Sequence, residues 1–533
     1  MRDSVDLLIT GGTIVDGTGA PGRPGSVVVD GDRLRLLTSG DELPAHARDT
    51  VDAGGKVVAP GFIDLHSHGG LQILAEPRHE PKVRQGVTSE IVGVDGNGFA
   101  PFASRAELEA FVELDSGLDG RPAIDYDWLS VADYLRRLDG TVSVNVGTLV
   151  GNSQLRIGAM GWDDAPAGAR ALDRMAGLLR EAMGDGAVGL SSGLDYPPGS
   201  YASTDELVAL TRVAGEHGGI YHSHVRYPLG DRFLDPFREA IEIGRRAGAP
   251  SHITHFYHRR TYPGGPEQLL ALVDDARATG LDVTFDSYPS EWASTRLLIQ
   301  LPTWIQAGGV APLKQRLADS AARHRIRTEL ATRGAAYAST EGWADVRLGG
   351  FRRPDLLRWE ARTVADVMRE TGQDAVDVIC DLLLAEDLGV SQVTTGPWLP
   401  TMRPFIAHPV GLVGTDATFV GDKPAPRTYG SFPRILGQFV RDERLLSLEE
   451  AVRKMTGGAA ARLGLRQRGI LRDGAFADVV VFDPATVRSN ATYDEPRRFP
   501  DGIEHVIVNG VPVISGGRHT GATPGRGIRL GAD

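Results

Sequence analysis

Short runs of apolar, β-branched residues recur along the middle of the chain, and most are separated by stretches with a helical repeat. Segments such as Asp205–Glu216 and Glu267–Ala278 place apolar residues three and four positions apart, as an amphipathic helix does. The eight apolar runs are Val57–Leu65, Val87–Val94, Val142–Val150, Gly186–Ser192, Ile220–Val225, Pro250–His255, Leu281–Tyr288 and Gly411–Thr415. Alternating strands and helices predict a parallel sheet, and eight such strands predict a (β/α)8 TIM barrel of the α/β class.

The two ends of the chain show a different pattern, in which β-branched runs are broken by pairs that contain glycine. Val5–Ile9 and Ser26–Val29 near the start, and Ala477–Phe482 and His505–Val508 near the end, predict antiparallel hairpins. Because neither end has enough strands to be stable alone, we expect both to join in one small β-sandwich. The predicted sandwich comprises residues 1–56 plus 465–520, and the predicted barrel comprises residues 57–464.

A long gap separates the last two predicted barrel strands, and a structureless loop of that length is improbable. We expect an inserted lid subdomain at about 290–350, over the barrel mouth. The stretch Thr363–Leu384 has a helical pattern and is expected to return to the barrel. Residues 521–533, which are rich in Gly and Arg, are expected to be mobile.

Composition and charge narrow the function further. The chain is 41 % hydrophobic and 24 % charged, which is ordinary for a globular protein, and its net charge of −12 disfavours nucleic-acid binding. No apolar run is long enough to span a membrane, the first residues lack the apolar core of a secretory signal, and the single cysteine excludes an internal disulfide. We therefore expect a cytoplasmic protein that acts on a small-molecule substrate, with no nucleic-acid or membrane partner. The oligomeric state stays open.

Histidine or aspartate stands at five of the eight predicted strand ends, where barrel enzymes carry their chemistry. The candidates are His66 and His68 after strand one, Asp95 after strand two, His224 at the end of strand five, His255 after strand six and Asp416 after strand eight. Side chains alternate along a strand, so His66 and His68 face the same way. An isolated His-x-His pair is explained as well by surface histidines, but its recurrence at strand ends predicts a metal site, with zinc as the expected ion.

Other candidates have weaker claims. His222 stands two residues before His224, so we expect it to lie deeper in the barrel and to contact a ligand rather than the metal. His252 stands three residues before His255, and alternation directs it away from the mouth, so we expect it to be packed or exposed. His258 and His408 fall in predicted loops, while Cys380 lies on an apolar helix face and is expected to be a core thiol.

A chemical role for Asp416 follows from its position after the apolar run Gly411–Gly414, which directs it into the mouth. A metal lowers the pKa of a bound water and polarises a substrate carbonyl. A carboxylate beside that water can take its proton and pass it to a leaving amine. We therefore expect Asp416 to be a metal ligand and the general acid/base. The chain has no GxSxG elbow, so a serine hydrolase is not indicated.

Several longer motifs resemble one family closely. The strand KVVAPGFIDLHSH and the closing segment GILRDGAFADVVVFDP are similar to the amidohydrolase superfamily. The segments GGTIVDGTGAPGRPGSVVVDGDRL, QGVTSEIVG, GAVGLSSGLDYPPGSYAST, GGIYHSHVR, FDSYP and RTYGSFPRILG resemble the D-aminoacylases, which are N-acyl-D-amino-acid deacylases. The resemblance spans nearly the whole chain. It implies the barrel, the sandwich, the lid, one or two zinc ions per chain and hydrolysis of an amide or related C–N bond.

The resemblance also implies roles for individual residues. It matches the candidate histidines to family metal ligands and Asp416 to the catalytic aspartate. It places four residues near positions that hold the substrate carboxylate, and arginine suits that task because it grips a carboxylate with two hydrogen bonds. These four residues are Tyr196, Tyr288, Ser294 and Arg427.

Three positions depart from the family pattern. Asp95 stands where the family has a zinc-binding cysteine; a carboxylate can bridge two metals but selects zinc less strongly than a thiolate. Tyr257 replaces a lysine that helps to bind the substrate carboxylate, and Asn152 replaces a histidine. These changes predict a diverged substrate specificity on a retained hydrolytic site.

Other functions stay open at this point. The alternative enzyme is a cyclic-amide hydrolase of the hydantoinase or dihydroorotase kind, but those relatives use a carboxylated lysine on strand four, and Gly189–Gly193 contains none. A deaminase is less favoured because strand five lacks the His-x-x-Glu motif. A non-catalytic scaffold with this fold is disfavoured because the candidate ligands are all retained.

Overall fold

A computed structural model describes residues 4–38, 40–227, 232–260, 262–333 and 342–532. The strands in chain order are β1 Ser4–Ile14, β2 Arg23–Asp30, β3 Arg33–Leu37, β4 His46–Asp52, β5 Val57–Pro60, β6 Phe62–Asp64, β7 Val87–Val92, β8 Asn145–Thr148, β9 Val150–Gly151, β10 Gly189–Gly193, β11 Ile220–His224, β12 Ser251–Ile253, β13 Val283–Ser287, β14 Trp292–Arg296, β15 Arg347–Gly349, β16 Ser391–Thr395, β17 Gly411–Val413, β18 Val479–Phe482, β19 Ile503–Val508, β20 Val511–Ser515 and β21 Arg518–His519.

The helices alternate with the central strands. In chain order they are α1 Gln72–Ala75, α2 Glu80–Val83, α3 Arg105–Asp115, α4 Val131–Leu138, α5 Asn152–Met160, α6 Ala169–Gly184, α7 Thr204–Glu216, α8 Asp235–Ala247, α9 Pro266–Ala278, α10 Val310–Ala318, α11 Ser320–Arg333, α12 Val364–Thr371, α13 Ala375–Ala385, α14 Leu399–Ala407, α15 Arg427–Arg434, α16 Leu448–Met455 and α17 Gly457–Arg462. A π-helix at Ile435–Asp442 continues α15.

Two parallel sheets form the centre of the molecule, with orders β6-β7-β8 and β9-β10-β11-β12-β13-β17. Strands β8 and β9 are consecutive parts of one run, which joins the two sheets. At the other end, the Asp416 N–H donates to the His66 carbonyl (2.8 Å) and the His68 N–H donates to the Ala417 carbonyl (3.0 Å). These bonds link the residues after β17 to those after β6, and the architecture is α/β of the TIM-barrel type.

Helix α7 illustrates how the sequence builds the outer layer. The Ser203 hydroxyl accepts a hydrogen bond from the Glu206 N–H (3.2 Å) and so caps the first turn. Leu207, Leu210 and Ala214 recur at helical spacing, and all are buried. That apolar face packs on β10 and β11, so the carboxyl ends of these strands are held in place from outside.

The two chain ends form a single nine-stranded sheet of order β21-β20-β19-β18-β5-β1-β2-β3, with β4 paired to β1. The first predicted barrel run is divided, because Val57–Pro60 pairs with Val479–Phe482 in this sheet and only Phe62–Asp64 joins the barrel. The division falls at Gly61, where a Cβ would lie 2.1 Å from Thr88 Cγ2 and where only glycine fits.

The tail after residue 520 is tied to the barrel within the range that the structure describes. Backbone hydrogen bonds join Val146 on β8 to the Arg526 carbonyl (2.9 Å) and to the Ile528 N–H (2.8 Å). The expectation of a mobile tail is therefore wrong for these residues.

The inserted segment is longer than the sequence predicts. Its three-stranded sheet has the order β14-β16-β15, so it extends to Thr395. Helices α12 and α13 share one apolar core with α10, which includes Leu313, Val364 and Ile379. The stretch Thr363–Leu384 therefore belongs to the insertion and does not return to the barrel, because its apolar face is buried there. Residues 334–341 of the predicted lid lie outside the described residues.

Candidate metal centre and active-site cleft

The six predicted metal ligands come together at the carboxyl ends of the central strands. His66 and His68 follow β6, Asp95 follows β7, His224 ends β11, His255 follows β12 and Asp416 follows β17. All six are buried. Their ligating atoms form two groups, each within 4.8 Å: a first donor group of His66, His68, Asp95 and Asp416, and a second donor group of Asp95, His224 and His255.

Asp95 belongs to both donor groups. Its Oδ2 lies 3.3 Å from His224 Nδ1, 3.5 Å from His255 Nε2, 3.5 Å from His66 Nε2 and 3.7 Å from His68 Nε2. One carboxylate oxygen is thus within reach of four imidazoles. Asp95 could therefore contribute a ligand atom to either donor group.

The donor set fits a divalent metal ion. Two ligands about 2.0–2.1 Å from a tetrahedral ion lie about 3.4 Å apart, which matches the separations around Asp95. Moreover, His66 Nε2 is buried and has no hydrogen-bond partner among the described residues, although an unpaired buried nitrogen is costly. A metal would satisfy it. The residues present therefore suit zinc or a similar ion bound by imidazole and carboxylate.

Three of the ligands adopt left-handed backbone conformations. The φ angles are 54° at Asp95, 31° at His255 and 48° at Asp416. Non-glycine residues rarely adopt such angles, and those that do cluster at functional sites. Each lies just beyond a strand end, so the turn redirects the side chain towards the other donors.

Buried polar residues hold the turn at Asp416. The Asp64 Oδ1 accepts from the Thr415 N–H (2.9 Å), and Lys82 Nζ donates to Thr415 Oγ1 (2.7 Å). Lys82 also pairs with Asp64, and both are fully buried. Asp416 Oδ2 in turn accepts from Arg427 Nη2 (2.8 Å), which leaves Oδ1 to face His68 Nε2 at 3.3 Å.

Each histidine ligand has a polar partner on the nitrogen that faces away from the cluster. Such partners fix the tautomer and orientation of a metal-binding imidazole. The pairs are His66 Nδ1 with Asp286 Oδ2 at 3.3 Å, His68 Nδ1 with Asp119 Oδ1 at 2.7 Å, His224 Nε2 with Asp195 Oδ2 at 3.1 Å, and His255 Nδ1 with the Tyr227 hydroxyl at 2.7 Å. Sequence reasoning missed all four partners.

Burial and the neighbouring carboxylates act in opposite directions on the histidines. Burial lowers the pKa of His66, but three carboxylates outweigh it and raise the pKa to about 10. They belong to Asp95, Asp286 and Asp416. Burial likewise lowers the pKa of His224, yet Asp95 contributes most to raising it to about 9. The metal-free cluster therefore holds protons that a bound metal would displace.

His252 is packed in the interior and does not line the cleft, as its position three residues before His255 predicts. It is fully buried, its Nε2 lies 3.1 Å from Asp286 Oδ2, and its ring stacks on His222 at 5.0 Å. His222 lies beneath the cluster, as predicted from its position before His224.

The remaining candidates lie apart from the donors. His258 is buried and its Nε2 faces the Pro263 carbonyl at 3.3 Å, while His408 pairs with Asp274 at the surface. Cys380 is a buried free thiol in the core of the insertion. Asn152 accepts from the Gly193 N–H (3.3 Å) and so braces the strand end beside Asp95.

A cleft opens above the donors, and the insertion forms part of its wall. Of the predicted substrate-contacting residues, Tyr196, Tyr257, Tyr288 and Ser294 line it. Arg427 lies behind this wall, with its guanidinium 4.1 Å from the Tyr288 ring centroid and its Nη2 on Ser294 Oγ at 3.3 Å. Two cations that sequence reasoning did not single out, Arg259 and Arg260, also line the cleft.

Comparison with known proteins identifies the family of this chain. The family model described as the amidohydrolase family matches residues 49–514. The chain belongs to the amidohydrolase family. Among curated amidohydrolase relatives, it is 35 % identical to the D-aminoacylase of Alcaligenes xylosoxydans xylosoxydans over 525 residues, which cover 98 % of this chain and 97 % of the relative. It is also 35 % identical to an N-acyl-D-glutamate deacylase of the same organism over 96 % of this chain and 94 % of the relative.

Solved amidohydrolase structures give the same result. A D-aminoacylase structure described as having a binuclear metal centre matches with a TM-score of 0.81 and 31 % identity, over 98 % of this chain and all of the other. The N-acyl-D-glutamate deacylase of Bordetella bronchiseptica, complexed with zinc and a phosphonate inhibitor, matches with a TM-score of 0.81 and 32 % identity, over 99 % of this chain and all of the other. These similarities support a hydrolase of the deacylase kind.

A D-hydantoinase matches at 15 % identity with a TM-score of 0.53, which shows the shared fold alone. In the ranges that the structure describes, no helix combines the length and apolar character needed to cross a bilayer.

Proposed function

We propose that this chain hydrolyses the amide bond of N-acyl-D-amino acids or closely related N-acyl small molecules, with one or two zinc ions as its cofactor. The observation that carries the proposal is the pair of donor groups that share Asp95 at the floor of the cleft. Relatives at 35 % identity, named as D-aminoacylase and N-acyl-D-glutamate deacylase, support the amide substrate.

The six ligands would hold the metal, and Asp95 would belong to both positions if two ions are bound. A metal there supplies an acidic water and a Lewis acid for the amide carbonyl. The protein supplies a buried, pre-arranged ligand set, because each histidine is oriented by its distal partner.

Asp416 serves as the general acid/base. Its carboxylate lies on the cleft surface, and its Oδ2 is held by Arg427 at 2.8 Å. Although burial raises the pKa of Asp416, the Arg427 guanidinium and His66 outweigh it and keep the pKa below the usual range. The ionised group can therefore accept a proton and deliver it to the departing amine nitrogen.

The cleft wall provides the groups that bind the rest of the substrate. Tyr196, Tyr257, Tyr288 and Ser294 offer hydroxyls and apolar ring faces. Arg259 and Arg260 place two cations in the lining of the cleft although Tyr257 stands where the family has lysine, so they are candidate partners for a substrate carboxylate. Arg427 supports this wall from behind through Ser294 and Tyr288.

The end of strand β10 disfavours a hydantoinase-like reaction. A Cβ at Gly193 would lie 1.7 Å from the Asp95 carbonyl oxygen, so a side chain has no room at this strand end. A carboxylated lysine on this strand is what the cyclic-amide relatives require.

The test is a panel of N-acetyl amino acids in both D and L forms, with hydantoin and dihydropyrimidine rings, assayed on the zinc-loaded protein. We expect release of the free D-amino acid and little turnover of the L form or of the rings. An Asp416→Asn preparation, made in parallel, controls for contaminating deacylases. Turnover of the rings but not of the N-acetyl compounds would overturn the proposed substrate.

A further inference from the structure

A single buried carboxylate connects the two donor groups from beneath. We propose that Asp286 is a positioning residue that fixes one ligand of each group, His66 in the first and His255 in the second. Its Oδ2 lies 3.3 Å from His66 Nδ1, and its Oδ1 accepts from the His255 N–H at 2.8 Å. Asp286 is itself fully buried on β13, and it is a member of neither the first nor the second donor group.

On the His66 side, Asp286 determines which nitrogen carries the proton. A carboxylate only accepts hydrogen bonds, so Asp286 Oδ2 selects the tautomer of His66 that is protonated at Nδ1. His66 Nε2 is then left with a lone pair for a metal, and it faces Asp95 and Asp416 at 3.5 Å each. Without that acceptor, the proton is free to move to Nε2 and block the ligating position.

On the His255 side, Asp286 holds the backbone. His255 has a φ of 31°, a strained angle for a non-glycine residue that persists only where surrounding contacts impose it. The bond from its N–H to Asp286 Oδ1 is such a contact, and the Phe256 N–H adds a second one by donating to the Asp286 carbonyl at 2.8 Å. The turn directs the His255 ring to the second donor group.

Close packing around Asp286 holds its carboxylate against His66 and the turn at His255. Gly414, which precedes the turn at Asp416, lies against it, and a Cβ there would meet His66 Cβ at 2.6 Å and Asp286 Cγ at 3.1 Å. His252 supports Asp286 from the other side, because its Nε2 contacts Oδ2 at 3.1 Å while its Nδ1 contacts Thr284 Oγ1 at 2.7 Å.

A third metal site is the competing interpretation. Ligating atoms of His66, His222 and Asp286 also lie within 4.8 Å of one another. However, this group would need His66 Nδ1, the nitrogen that must carry the proton when Nε2 binds the first group. His222 Nε2 also lies 4.0 Å from Asp286 Oδ2, which is longer than the 3.3–3.7 Å contacts around Asp95.

The test compares Asp286→Asn with the control His222→Gln by zinc affinity and by the visible spectrum of the cobalt-substituted protein. The inference about Asp286 rests on the metal binding in the proposed function but not on the proposed substrate. Asparagine keeps an acceptor for one partner and offers an amide donor to the other. We expect a 10- to 100-fold loss of affinity for Asp286→Asn, the range typical of partners that orient metal ligands, and an altered cobalt spectrum. His222→Gln, which tests the third group, should bind the same number of metal ions per chain as the wild type.

The outcomes separate the possibilities. A wild-type chain that binds no metal refutes the proposed function, whereas equal affinity and identical cobalt spectra in wild type and Asp286→Asn refute the role of Asp286 alone. Loss of one metal per chain in His222→Gln would show that the third group is itself a metal site and overturn the inference. If Asp286→Asn does not fold, Gly414→Ala carries the test, because it displaces His66 and Asp286 without changing a ligating atom; unchanged affinity there contradicts the proposal.

Discussion

Replacement of Asp95 gives a prediction that can be worked out from the ligand count. In Asp95→Ala, the first donor group keeps three donors, His66, His68 and Asp416, whereas the second keeps only two. Three protein ligands suffice for a catalytic zinc site, but two do not hold the ion firmly. We therefore expect the variant to bind about one metal per chain where the wild type binds about two.

The charge on Asp95 adds to this effect. Its Oδ2 lies 3.3–3.7 Å from four imidazole nitrogens, so its removal also takes away a negative charge that attracts any cation to the cluster. In Asp95→Cys a thiolate restores the second group and shifts its preference towards softer ions. We therefore expect Asp95→Cys to bind about two zinc ions and to discriminate more strongly against manganese and magnesium.

The assay is metal analysis after equilibrium dialysis against excess zinc, followed by competition with a chelator. Circular dichroism of each variant shows whether the fold is retained. The reasoning is refuted if Asp95→Ala retains about two ions per chain with unchanged affinity, because Asp95 would then belong to neither site.

Three further predictions follow. Asp416→Asn should lower kcat at least about 100-fold while bound zinc persists, as expected for loss of a general acid/base; near-normal turnover would exclude that role. Tyr227→Phe removes only the tyrosine hydroxyl that contacts His255 Nδ1, and it should weaken zinc binding about 10- to 100-fold. A chelator titration identical to that of the wild type would contradict this prediction. Folding raises the pKa of His66 to about 10 and the pKa of His224 to about 9. In the metal-free chain, protonation of these two histidines therefore stabilises the fold fully below pH 6.5, and this stabilisation is lost as the pH rises through 9–10. Thermal melts of metal-free protein across that range should show a falling Tm; a flat or rising Tm contradicts it.

The sequence predicted the clustering of the candidate ligands better than their surroundings. His66 and His68 were found because they stand in regular alternation after an apolar strand, and their recurrence with other strand-end residues pointed to one site. The left-handed turn at His255, by contrast, could not be deduced from strand periodicity.

The distal partners lie far from the ligands in sequence and carry no motif. Asp119 and Asp195 come from loops, and only the folded chain brings them to His68 and His224. Asp286 is different, since an aspartate inside the apolar run Leu281–Tyr288 is an unusual residue in a buried strand. A charged residue in a strand that is predicted to be buried could have indicated a functional role for Asp286.

The predicted boundaries of the first barrel strand and of the insertion were wrong, because hydrophobicity alone does not show which element a segment packs against. The run Val57–Leu65 appears continuous in its hydrophobicity, but the close approach at Gly61 divides it between two sheets. Helix α13 is as apolar as a barrel helix, so its packing partner in the insertion was not evident from pattern alone. The predicted cytoplasmic location stays a prediction.

If this chain is a metal-dependent deacylase, its activity must follow its metal content, and stepwise return of zinc to the metal-free protein measures that dependence. Release of the free D-amino acid would be followed from a panel of N-acetyl-D-amino acids with acidic and apolar side chains. We expect no release without metal, and a rise in release that is complete by about two zinc ions per chain. Equal release by metal-free and zinc-loaded protein, or no release at any loading, would contradict it.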